Sequence, residues 1–194
     1  MAKKKDILEK TEFFVSAEMA KNDAAHDTAH IFRVVALTQK LCRAYPQADP
    51  FRAELLAWLH DLNDDKLSSN LGSSAIAAFL TSLSVSEADT QFILTGLPYI
   101  SYRKHPRLSP DIALEIRIVQ DADRIDAMGA LGIARTFAYG GAKGRSLEDS
   151  LLHFDEKLLL LYDFLSTEEA RRIALPRHEF LRAFYAQYKS ETVL

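Results

Sequence analysis

Apolar side chains recur every three to four residues along almost the whole chain, and no segment alternates as a half-buried strand would. That period is the signature of packed helices. It predicts helices at roughly 5–22, 25–44, 50–63, 72–83, 86–97, 110–139, 147–165 and 167–191. With 7 glycines and 6 prolines in 194 residues, the chain is also short of the turn chemistry that many short strands need. Asp49-Pro50 and Ser109-Pro110 read as helix starts, each a capping side chain followed by proline in the first turn. Ser86, followed by Glu87 and Asp89, is a third, because acids suit a helix N-terminus. Gly129 and Gly132 predict a break in the long segment after 110, and Pro176 predicts one in the last helix. The apolar stripes continue from end to end without a linker. The expectation is an all-α, single-domain helical bundle over residues 1–194.

A net charge of −3 argues against broad electrostatic capture of nucleic acid, which needs a strongly positive face. The one cysteine, Cys42, rules out an internal disulfide and suits a reducing cytoplasm. Lys3, Lys4 and Lys5 are followed at once by Asp6, Glu9, Lys10 and Glu12, so no leader-like apolar stretch develops. No run approaches the roughly 20 apolar residues of a membrane span. A cytoplasmic protein is expected.

Several polar residues interrupt apolar faces. His30 shares a helical stripe with Val34, Leu37 and Leu41, with His26 one turn before it and Arg33 nearly one turn after. His60 and Asp61 end the apolar run Leu55, Leu56, Ala57, Trp58, Leu59. Asp64 and Asp65 fall one turn later. Carboxylates crowded at a helix C-terminus oppose its dipole and call for a cation. The segment 112–130 is apolar nearly all round, yet one stripe carries Asp121 and the other Asp123. A buried carboxylate needs a metal, a cation or several hydrogen bonds. Salt bridges to Arg124 or Arg33 are the alternative, and periodicity leaves open which aspartate would face an ion.

Taken together, His30-Ile-Phe-Arg-Val34, Leu59-His60-Asp61-Leu62 and Val119-Gln-Asp-Ala-Asp123-Arg-Ile-Asp126 resemble the HD-domain superfamily of helical, metal-dependent phosphohydrolases. The resemblance implies His30, His60, Asp61 and Asp123 as metal ligands. The family's late motif, Ala-Asp before a basic residue, selects Asp123 over Asp121. Lys66, Ala134-Arg-Thr-Phe-Ala-Tyr-Gly-Gly141 and His153-Phe-Asp-Glu-Lys-Leu158 extend the likeness to a bacterial subgroup of small HD-domain hydrolases, over roughly residues 22–180. Known members of that subgroup act on nucleotides, often as pyrophosphohydrolases. One departure is Ser101-Tyr-Arg-Lys104 followed by His105, which adds a basic residue to a loop that in the family carries Ser, an aromatic and Lys.

Two imidazoles and two carboxylates suit manganese, the first expectation, and also Mg, Co, Ni, Fe or Zn. Such an ion polarises a phosphoryl oxygen and acidifies a water. Asp64, with Asp65 as partner, is the expected proton acceptor, at the offset of the acidic pair in HD-domain alarmone hydrolases. His26, Arg33, Lys66 and Lys104 are the expected contacts to phosphate. The expected partner is a small phosphorylated molecule, first a nucleotide; a homodimer is compatible with the sequence. Tyr99, Tyr102, Phe137 and Tyr139 either wall a base or belong to the core. Two rivals share the fold: a di-iron oxygenase, disfavoured because only His105 lies between His60 and Asp123, and a non-catalytic nucleotide sensor, disfavoured because every ligand is retained.

Overall fold

The computed structural model describes residues 2–20, 28–63 and 71–192. Its helices are α1 (Ala2–Met19), α2 (Thr28–Ala44), α3 (Pro50–Leu59), α4 (Gly72–Ser82), α5 (Glu87–Ile100), α6 (Leu114–Asp126), α7 (Gly129–Ala142), α8 (Leu147–His153) and α9 (Glu168–Thr192). A 3₁₀ turn, His60–Asn63, prolongs α3, while a π turn, Phe154–Leu158, and a second 3₁₀ turn, Leu161–Phe164, follow α8. The described residues contain no strand. The fold is all-α and single-domain, and among the described residues no helix is long and apolar enough to cross a membrane.

α3 is the hub. Asp49 starts it, accepting the amide of Phe51 at 2.9 Å, with Pro50 in the first turn. Its Phe51, Ala53 and Leu55 to Leu59 are all buried, because α1, α2, α5 and α6 pack around it. α6 lies against both α2 and α3 and buries Ile116, Ile118, Val119, Ala122 and Ile125. On its other side α9 packs on α6 and α7, and α8 packs on α7. Ser86 caps α5 through the amide of Asp89 at 3.1 Å.

Two expected helix signals act otherwise. Ser109-Pro110 does not start a helix: the Ser109 carbonyl accepts from Ile112 at 3.1 Å and its hydroxyl from the Asp111 amide at 3.4 Å. Those bonds commit the backbone to a turn, and α6 begins only at Leu114. Pro176 does not break the last helix, which runs unbroken from Glu168 to Thr192. Arg172, Leu175 and Pro176 are all exposed, so solvent can satisfy the carbonyl that proline leaves unbonded. Buried Ala170, Ala174 and Leu181 hold the helix on either side. The expected helix over 147–165 is likewise resolved into α8 and its two irregular turns.

The break between α6 and α7 falls where the glycines place it. Gly129 has φ +72°, a left-handed conformation that side chains with a Cβ resist. A Cβ on Gly132 would come within 2.1 Å of the Ala127 carbonyl oxygen, so only glycine lets α7 start this close to the end of α6. Gly132→Ala is expected to cost about 1–3 kcal/mol by overpacking. At roughly 2–4 °C per kcal/mol for a chain of this size, thermal unfolding should shift down by several degrees. An unchanged melting temperature would show that the junction yields.

Candidate metal centre

Four side chains converge where α2, α3 and α6 meet. His30 lies in the first turn of α2 and is buried against α6. His60 and Asp61 follow the last residue of α3, where the helix tightens into its 3₁₀ turn. Asp123 comes from the last turn of α6. His30 Nε2 lies 3.4 Å from Asp123 Oδ1 and 3.7 Å from Asp61 Oδ2, and His60 Nε2 lies 3.3 Å from Asp61 Oδ1. One donor atom from each of His30, His60 and Asp61 falls within 4.8 Å of the others. Ligands about 2.1 Å from a shared ion stand roughly 3.0–3.4 Å apart, so the cluster is close to the right size.

Hydrogen bonds fix which nitrogens face this space. His60 Nδ1 donates to the Ala57 carbonyl at 2.7 Å, which leaves Nε2 with a lone pair. That Nε2 is buried and has no hydrogen-bond partner, an orphan of the kind a metal would satisfy. His30 Nδ1 lies 2.8 Å from Asp126 Oδ2, so it donates to the carboxylate and its Nε2 turns to the cluster. His30 presents Nε2 to Asp123 and Asp61, and His60 presents its Nε2 to Asp61. This donor set fits a divalent ion.

Electrostatics points the same way. Burial alone would lower the His30 pKa, but Asp123, Asp126 and Asp61 raise it to about 9. Burial alone would raise that of Asp123, but His30, His60 and Lys157 hold it far below the ordinary carboxylate range. A proton on His30 thus stands in for a cation.

Asp121 is not part of the cluster. Fully buried, it accepts from the Ser166 amide at 2.8 Å, the Thr167 amide at 2.8 Å and the Thr167 hydroxyl at 2.7 Å. Arg124 is not its partner: the guanidinium donates to the carbonyls of His105, Pro106 and Phe164. Gln120 donates to the Tyr99 carbonyl at 2.5 Å and the His105 carbonyl at 3.0 Å. These two α6 side chains fasten the basic loop at 101–109.

The remaining expected residues divide. Arg33 binds Asp126 through two nitrogens, at 2.7 and 3.1 Å. Lys104 is exposed on the pinned loop. His26, Asp64, Asp65 and Lys66 lie outside the described residues. The His105 ring lies 4.6 Å from that of Tyr99, and His105 is not in the metal-ligand cluster found among the described residues. Phe137 belongs to an aromatic core with Phe154, Phe184 and Tyr188.

Sequence reasoning missed the cleft beside the cluster. His30 and Asp123 form part of its wall, and α7, α8 and the π turn complete a volume of about 510 Å³. Its lining carries Arg33, Arg135, Arg145, His153 and Lys157, with Asp123 the one acid among the described residues. Tyr139 offers an aromatic ring at the same wall, with Arg145 5.4 Å from its centroid. The signal for Asp126 was available, since it follows Asp123 by three residues and shares its side of α6. Nothing in the spacing announces that Arg135 returns from the next helix.

Residues 28–128 match the HD domain family. The chain belongs to that family. It is 33% identical over 190 residues to YpgQ of Bacillus subtilis, covering 94% of this chain and 92% of that protein. The crystal structure of YpgQ superposes with a TM-score of 0.85 at 32% identity, over 98% of this chain and 97% of that one. A second YpgQ crystal structure is a complex with ADP, with the same identity and TM-score over the same shares of the two chains. An HD-superfamily hydrolase of Bacillus thuringiensis matches at 37% identity and a TM-score of 0.78, over 97% of each chain. The HD match contains His30, the His60-Asp61 pair and Asp123 and ends one residue before α7.

The two aspartates of α6 are expected to separate by substitution. Asp121→Ala should lower the melting temperature and leave metal affinity unchanged, whereas Asp123→Ala should weaken metal binding by at least about tenfold. Calorimetry and chelator competition read the two effects. The metal-free protein should also lose stability in alkali. The folded His30 pKa, about 9, exceeds its unfolded value of about 6.5. The contribution is therefore complete below pH 6.5 and lost as pH rises through 9. Thermal scans across that window should show the decline, and His30→Gln should flatten it.

Proposed function

We propose that this HD-family protein is a metal-dependent phosphohydrolase that cleaves a phosphate ester or anhydride of a nucleotide. The observation that carries the proposal is the junction of a mixed nitrogen and oxygen ligand cluster with a cleft whose ionisable lining, among the described residues, is basic apart from Asp123. Phosphoryl transfer makes both demands, since developing charge must be stabilised and the phosphates must be held in line. Likeness to B. thuringiensis hydrolase supports the reaction class, and the ADP complex of YpgQ supports the ligand class.

His30, His60, Asp61 and Asp123 would hold the ion, which supplies Lewis acidity to a phosphoryl oxygen and to the attacking water. Asp126 fixes the tautomer of His30, and the Ala57 carbonyl that of His60. Arg135, Arg145 and Lys157 supply cationic wall to the phosphates, and Tyr139 a ring face to a base. Asp64, with Asp65, is proposed to take the proton of the water; His26, Lys66 and Lys104 are proposed as further phosphate contacts. Manganese is the proposed ion.

The test is release of phosphate or pyrophosphate from a nucleotide panel by stripped protein, with Mn, Mg, Co or Ni restored. Release should need metal and vanish in Asp123→Ala, and Asp64→Asn should lower turnover with metal content intact. Failure of every metal with every nucleotide would sink the reading. Turnover that survives Asp64→Asn would sink the role of Asp64 alone.

A further inference from the structure

The carboxylate of Asp126 is 1% exposed and receives more donors than one of its oxygens can satisfy. Oδ1 takes the Nε of Arg33 at 2.7 Å. Oδ2 takes three groups: His30 Nδ1 at 2.8 Å, Arg33 Nη2 at 3.1 Å and Arg135 Nη1 at 2.7 Å. A carboxylate oxygen offers about two lone-pair directions, so one of the three is in excess. Charge is in excess as well, because two guanidinium groups share one buried anion.

The geometry identifies which donor is held least. Arg33 grips Asp126 through two nitrogens, Arg135 through one. Arg135 Nη1 also lies 3.1 Å from His30 Nδ1, and both nitrogens direct protons at the same oxygen. That donor–donor contact works against Arg135 staying where it is. Its side chain is 36% exposed and lines the cationic cleft rather than the protein interior.

We propose that Arg135 is shared between Asp126 and the substrate: an entering phosphoryl oxygen takes the guanidinium from Asp126 Oδ2, and the carboxylate keeps His30 and Arg33. Arg135 is then a substrate-binding residue and also a positioning residue. Its departure leaves Oδ2 with two donors and strengthens the bond that orients the His30 imidazole. Occupancy of the cleft and grip on the metal ligand are thereby linked through one side chain. The inference rests on the phosphohydrolase reading for the identity of the anion, but its effect on His30 does not need catalysis.

The experiment measures two affinities. Manganese binding without nucleotide is followed by chelator competition, and binding of α,β-methylene-ADP by calorimetry at saturating manganese. Arg135→Ala should bind manganese as tightly as wild type or severalfold tighter, and bind the analogue about 10- to 100-fold more weakly. Arg135→Lys should recover part of the analogue binding, since it restores a cation to the cleft. Asp126→Asn should weaken manganese binding about 10- to 100-fold. If Arg135→Ala loses manganese as Asp126→Asn does, or fails to fold, Arg135 is only a clamp and the proposal is overturned. If it binds the analogue like wild type, sharing with substrate is overturned. Wild type that does not bind the analogue would instead sink the nucleotide reading, and the manganese arm would still decide the excess-donor argument.

Discussion

One buried carboxylate, Asp126, ties together α2, α6 and α7 beside the candidate ligands. It belongs to α6, accepts His30 and Arg33 from α2, and accepts Arg135 from α7. Removing a charge from water is costly unless it is paired and its lone pairs are filled. Here every requirement is met, and Asp126 stays ionised well below the ordinary carboxylate range: burial would raise its pKa, but His30 and Arg33 outweigh it. The arrangement fixes the register of α2 on α6, and hence the place of His30 relative to Asp123.

α6 applies the same logic along its length. A helix packed on α2, α3, α5 and α9 would be expected to be apolar, yet it buries Gln120, Asp121, Arg124 and Asp126. Each makes distant contacts. Asp121 holds the start of α9 through the backbone of Ser166 and Thr167, while Gln120 and Arg124 hold the loop after α5 through its carbonyls. Asp123 is left to face the Nε2 of His30. The polar residues of this helix bring remote chain segments to fixed distances from the His30–Asp123 pair.

Much of this was legible in the sequence, for reasons that differ by residue. His30, His60 and Asp61 stood out as polar residues on apolar stripes, but it was the likeness of their motifs to the HD-domain superfamily that implied them as a set. Periodicity did not separate Asp121 from Asp123, since the choice depends on amides 45 and 46 residues away; only the likeness to the family's late motif did. Pro176 misled because the rule for proline concerns a backbone bond, and exposure decides whether its loss matters. Gly129 and Gly132 were legible as a break because backbone geometry is local. The cleft was not, because its cations come from α2, α7, the α7–α8 loop, α8 and the π turn, and only packing brings them together.

The glycine junction between α6 and α7 also falls at the end of the segment that matches the HD family. The segment matched by the family stops at residue 128, and Gly129 opens the next helix. That segment holds His30, His60, Asp61 and Asp123, the candidate ligands. The wall bearing Arg135, Tyr139, Arg145, His153 and Lys157 lies wholly beyond it. The two walls of one cleft therefore meet across a single left-handed glycine, and Asp126, at the end of the first, takes hold of Arg135 from the second.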